Sequence, residues 1–151
     1  MNLASPSFAE GSKIPDKHHY KKGNKSPELI FRGAPSETKS LALLCDDPDA
    51  PAGIWSHWVV WDIPPASSGL REGLPYLDTI ENVCQQGVND FGTTGWGGPC
   101  PPHGIHRYIF KLYALDIAIG PKRGMKRLAL LDAIKGHVIA EASLAGIRAA
   151  D

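Results

Sequence analysis

From His106 to Asp116 the chain alternates cleanly. His106, Tyr108, Phe110, Leu112 and Ala114 fall on one side, and Arg107, Ile109, Lys111 and Tyr113 on the other. That period of two predicts a strand with one face in a core. Lys39 to Cys45 is a short apolar run that stops at Asp46-Asp47-Pro48-Asp49-Ala50-Pro51, which predicts a buried strand ending in a stiff acidic turn. His57 to Ile63 is rich in β-branched and aromatic residues and halts at Pro64-Pro65, so it reads as the next strand, paired antiparallel to the first. Pro27 to Phe31, Asn82 to Gln86 and Val138 to Arg148 are further strand candidates, the last without a clear period. One helix is expected, Met125 to Lys135, with Leu128, Leu131 and Ile134 on its inner face and Gly136 ending it. Arg123, Lys126 and Arg127 crowd its N-terminal end, where the helix dipole disfavours cations, so either the helix starts later or those charges serve the surface. Strands joined by Pro- and Gly-rich turns, with one late helix, predict a single mostly β domain, an antiparallel β-sandwich or barrel.

Side-chain parity then gathers three titratable groups. Asp47 shares the face of Leu41, Leu43 and Cys45 at the C-terminal end of its strand, and His57 shares the face of Val59, Trp61 and Ile63 at the N-terminal end of the partner. His106 opens the third strand on its apolar face, with Tyr108 next in line. All three are therefore expected at one end of one sheet. A carboxylate near two imidazoles favours their protonated forms, provided the site is not so dry that desolvation wins. With the Tyr108 hydroxyl they would make a small anion pocket in which Asp47 orients and charges the histidines. The stretch Gly95 to Tyr108, with four glycines and three prolines, is a shaped loop expected to wall that pocket and offer it backbone donors.

Composition narrows the partners. Sixteen Lys and Arg balance sixteen Asp and Glu over 151 residues, so no whole-chain field attracts nucleic acid or an acidic membrane. Trp55, Trp58 and Trp61 are accordingly read as core packing, with no nucleic-acid role. The basic loop Lys17 to Lys25 is read as solvated surface and given no function. Cys45, Cys84 and Cys100 lack a C-x-x-C spacing, which fits a reducing, cytoplasmic setting. No apolar run is long enough for a transmembrane segment. Asp90-Phe91-Gly92 has none of the other kinase motifs around it, and the glycines from Gly92 to Gly98 do not open a helix after a strand, so no nucleotide cofactor is expected.

Asp47-Pro48-Asp49-Ala50-Pro51, then Trp55 and His57, then Gly98-Pro99-Cys100-Pro101-Pro102 followed by His106-Arg107-Tyr108, resemble the phosphatidylethanolamine-binding proteins, in their short bacterial and archaeal Raf-kinase-inhibitor-like branch. The resemblance spans nearly the whole chain. It implies a β-sandwich whose pocket holds phosphate, acetate or a phosphorylethanolamine-like head group. It carries the ligand-binding role to Asp47, His57, His106 and Tyr108, with Trp55 and Pro101 as apolar walls and Cys100 where some relatives have glycine. It further implies a cis peptide before Pro51, a homodimer, and links to inhibition of kinases or serine proteases.

The expected function is a regulatory small-anion-binding protein, not an enzyme. An inhibitor that inserts the loop Gly87 to Gly98 into a protein partner is the first alternative. A metal-dependent enzyme built on Asp47, His57 and His106 is the second, because two histidines and a carboxylate are an iron-site residue set. A Ser56-His57 hydrolytic device is set aside, since adjacent strand residues point to opposite faces.

Overall fold

The computed structural model describes all 151 residues. Nine strands and one α-helix follow in the order β1 (Asn2–Ala4), β2 (Leu29–Arg32), β3 (Ser40–Asp47), β4 (Trp55–Ile63), β5 (Gly69–Leu70), β6 (Thr79–Ile80), β7 (Cys84–Gln86), β8 (Ile105–Leu115), α1 (Arg127–Ile134) and β9 (Val138–Ala149). They form a three-stranded sheet, β1-β2-β5, and a six-stranded sheet, β6-β7-β4-β3-β8-β9. Every strand pairing is antiparallel.

The sandwich core lies between the sheets. Leu3, Phe31 and Leu70 of the small sheet meet Leu41, Leu43, Trp58, Phe110 and Leu112 of the large one. The other face of the large sheet carries Ala42, Leu44, Val59, Trp61 and Tyr113 against Leu130 and Ile134 of α1. Three layers result, and β3 is covered on both faces. That is why Leu41 to Cys45 reads as a continuous apolar run and not as an alternation.

The helix differs from its expectation in extent and in face. It spans Arg127–Ile134, and its buried residues are Leu130 and Ile134, four apart, while Leu128 is 73% exposed. Spacings of three and of four both fit a helix period, and only the tertiary contact chooses between them. The cationic start is explained by Arg127, whose Nε donates to Asp46 at 3.0 Å. Gly136, with φ of 82°, ends the helix as expected.

Parity along β4 is broken twice. Leu41 faces Ile63 and Leu43 faces Val60, so one extra residue intervenes, and Asp62 takes it up with φ of 51°. Cys45 faces Trp58 and Asp46 faces Ser56, which makes His57 a second extra residue. Val59 and Trp61 therefore turn toward α1, while Ile63 returns to the sandwich core. The expectation that His57 shares the face of Val59 and Trp61 is corrected. No peptide bond is cis, so the bond before Pro51 is trans as well.

Candidate functional site

The C-terminal end of β3 and the N-terminal ends of β4 and β8 meet at one edge of the large sheet, where Asp47 pairs with Trp55 across the ladder. A half-open cavity of about 220 Å³ lies there. Its wall includes Asp47, Trp55, His57, Cys100, His106 and Tyr108, six of the seven residues singled out from the sequence. Pro101, the seventh, is buried outside the wall, and Pro102 takes its place. Ala50, Pro51 and Phe91 complete the lining.

Asp47 is nearly sealed from solvent and fully engaged. Its Oδ2 accepts a hydrogen bond from His106 Nδ1 at 2.6 Å, and its Oδ1 accepts one from the Asp49 amide at 2.8 Å. The acidic turn is tied down a second time by Arg107, whose Nε and Nη2 grip Asp49 at 3.0 and 2.9 Å. That grip holds the Asp49 carboxyl well below the usual range, at about 2. His57 reaches the cavity because of its bulge. Its Nδ1 donates to the Gly97 carbonyl at 2.5 Å, and its ring stands edge-on to Tyr108 at 5.1 Å. Both imidazoles thus commit Nδ1 to the protein, and neither Nε2 has a hydrogen-bond partner in it.

Burial lowers the pKa of His57, outweighing the raising effects of Gly97 and Asp47. At neutral pH His57 is a neutral ring with an open lone pair at Nε2. At His57 the condition for protonation is not met, because desolvation exceeds the pull of Asp47. Tyr108 is the opposite case. Burial first, then Asp47 and Cys45, push its phenol up, so it stays a hydroxyl donor. That hydroxyl is buried with no partner, as is the Trp55 indole N–H. Two orphaned donors in one cavity wall are costly unless something within the cavity accepts from them.

The glycine loop contributes differently from its expected role. The Gly97 amide donates to the His57 carbonyl at 2.9 Å, and the Gly98 amide to Asn24 Oδ1 at 2.7 Å, so neither is free for a ligand. These glycines serve close packing. A Cβ on Gly98 would lie 1.8 Å from the His18 carbonyl oxygen, and one on Gly97 would lie 2.5 Å from the Phe91 ring. Phe91 gives no sign of a site role in the sequence, where its neighbours Asp90 and Gly92 complete an unrelated motif. Stacked on Tyr20 at 4.0 Å and edge-on to Trp55 at 5.3 Å, it forms the aromatic side of the cavity.

Asp47, His57 and His106 line one cavity without grouping as metal ligands, and no cluster of three or more His, Cys, Asp or Glu is arranged to hold an ion. The reason is local: both Asp47 oxygens and His106 Nδ1 are engaged with one another or with the turn. Ser56 is absent from the cavity wall.

The sequence model of the phosphatidylethanolamine-binding protein family matches residues 4–149. The chain belongs to that family. A "UPF0098 protein" of Methanothermobacter thermautotrophicus is 47% identical over 147 residues, which cover 97% of each chain. Its counterpart in Chlamydia muridarum is 41% identical, again over 97% of each. Among solved structures, a putative phosphatidylethanolamine-binding protein homolog from Chlamydia trachomatis superposes with a TM-score of 0.90 at 39% identity, covering 99% of this chain and 97% of that one. Escherichia coli YbcL, described as a new member of the mammalian family, gives 0.92 at 31% identity, covering 99% and 98%. The two antiparallel sheets and late helix are the fold of this family, and no helix is long and apolar enough to cross a membrane.

Proposed function

We propose that the chain is a small-anion-binding protein with a regulatory role, taking a phosphate, an acetate or a phosphorylethanolamine-like head group into the cavity at the end of β3, β4 and β8. The observation that carries this reading is the pair of orphaned donors, Tyr108 Oη and Trp55 Nε1, beside the unpartnered Nε2 atoms of His57 and His106. An oxyanion accepts from the two donors directly and from an imidazole Nε2 once that nitrogen has taken up a proton, and the apolar surfaces of Pro51, Phe91 and Pro102 keep competing water few. Asp47 is an acid in the wall of an anion site, and His106 together with the Asp49 amide offsets its charge. An inhibitor that inserts Gly87 to Gly98 into a partner has less support, because Asn89 binds that loop to itself at Thr93 and Gly95.

Binding should take up a proton. Burial holds His57 neutral, and a bound anion favours its charged form, so affinity rises as pH falls and weakens as pH rises through the histidine range. Sulfate, whose own charge is constant there, should bind up to about tenfold more tightly per pH unit lowered while uptake approaches one proton per site. Titration calorimetry between pH 5 and pH 8 checks this, and an unchanged affinity counts against the reading.

Tyr108→Phe separates the ligand from the fold. Deleting an unsatisfied buried hydroxyl should leave stability unchanged or raise it by up to about 1 kcal/mol. Affinity for phosphorylethanolamine should drop about tenfold with the lost hydrogen bond. Thermal melting and calorimetry on the same variant give both numbers, and a loss of stability with binding intact would show that the hydroxyl belongs to the core.

A further inference from the structure

The cavity also holds a nucleophile that anion binding does not use. Cys45 and Cys84 are buried, and Cys100 is the one cysteine with solvent access, standing in the cavity wall. Pro99 and Pro101 flank it, and the Pro99 carbonyl is anchored by the Tyr20 amide at 3.0 Å, so the backbone that carries the thiol is fixed in place. The second observation is independent of the thiol. Tyr108, fully buried, lines this same cavity and has a hydroxyl with no partner, and Trp55, also in the lining, has a buried indole N–H with none.

We propose that Cys100 is a thiol-exchange site that takes a small carboxylate-bearing disulfide into this cavity. The proposal rests on the anion-binding reading for its recognition of the carboxylate. The donors of Tyr108 and Trp55 receive the carboxylate, and Cys100 Sγ attacks the nearer sulfur of the disulfide. One S–S bond forms, that of the reagent breaks, and the departing thiolate leaves with the electron pair. The Cys100 proton passes to an imidazole Nε2 in the wall and from there to the leaving thiolate, so a thiol and a disulfide yield a mixed disulfide and a thiol. Burial raises the pKa of both other cysteines, Cys84 to about 12, which leaves them unreactive in the folded chain. The mixed disulfide fills the cavity, so modification and anion binding exclude each other.

The test uses the whole folded chain with dithiodiglycolate, a dicarboxylate disulfide, and cystamine, a diammonium disulfide of similar size. Each rate is divided by that of a small free thiol with the same reagent. Peptide mapping should place one adduct per chain at Cys100, formed about tenfold faster from dithiodiglycolate than from cystamine on the normalised scale. Cys100→Ser should take up none, and mapping of the unaltered chain locates the adduct even if that variant does not fold. No adduct at Cys100, or equal normalised rates, overturns the proposal. Sulfate should slow the reaction by occupying the cavity. A carboxylate-selective adduct that sulfate neither slows nor precedes in calorimetry keeps the thiol site and removes the anion reading, and sulfate binding without any adduct does the reverse.

Discussion

Asp47→Ala should lower stability by about 3 kcal/mol and abolish anion binding. The carboxylate makes one hydrogen bond to the Asp49 amide and another, shorter one to His106 Nδ1, both inside the protein. Truncation leaves two donors without acceptors, each costing roughly 1–3 kcal/mol, and leaves the turn that forms the cavity wall held by Arg107 alone. The His106 ring then loses the partner that fixes its tautomer, so its Nε2 is no longer aimed. Asp47→Asn keeps the shape and one acceptor, and it should recover about half the stability with little of the binding. Urea unfolding of both variants checks the order. A loss under about 1 kcal/mol for the alanine variant would mean that the pair does not hold this end of the sheet.

Gly98→Ala should cost the fold about 3 kcal/mol or more, although alanine is the smallest change available. The added Cβ would stand 1.8 Å from the His18 carbonyl oxygen and 2.9 Å from the Tyr20 nitrogen, both backbone atoms that no rotamer change can move aside. To relieve the clash the loop must lift, breaking the Gly98 amide bond to Asn24, the Tyr20 amide bond to Pro99 and the Trp96 indole bond to the His18 carbonyl. Gly97, which anchors His57, moves with it, so anion binding falls too. Thermal melting decides the matter. A shift of under about 2 °C would show that the loop yields without loss.

The long elements could be read along the chain because their burial imposes a period. β8 alternates since one of its faces is in the core, and β3 is apolar without a break from Leu41 to Cys45 since both of its faces are covered there. Strands of two or three residues, such as β1, β5 and β6, carry no period at all and went unseen. The site was legible as a gathering of residue types at one sheet end, and six of the seven residues do line the cavity. The route to His57 was not. Strict alternation from Trp58 would have sent it toward α1, and only the extra residue in β4 turns it to the cavity, a register event that no local pattern announces. Glycines at 97 and 98 suggested backbone offered to a ligand, whereas they admit the neighbouring segment around His18. That segment, set aside as a solvated loop, holds a fully buried His18 bonded to Ser7 and to the Lys25 carbonyl. A histidine among lysines gives no sign of burial until its partners are known.

Asp46 and Asp47 are consecutive residues of β3 that belong to opposite layers. One is held by Arg127 at the start of the helix, and the other by His106 in the cavity. The rear layer and the cavity are therefore joined by a single peptide unit, with a carboxylate clamped at either end of it. Sequence drift in the helix can retune the chamber from behind, and two relatives with identical chamber linings need not grip the same guest equally well.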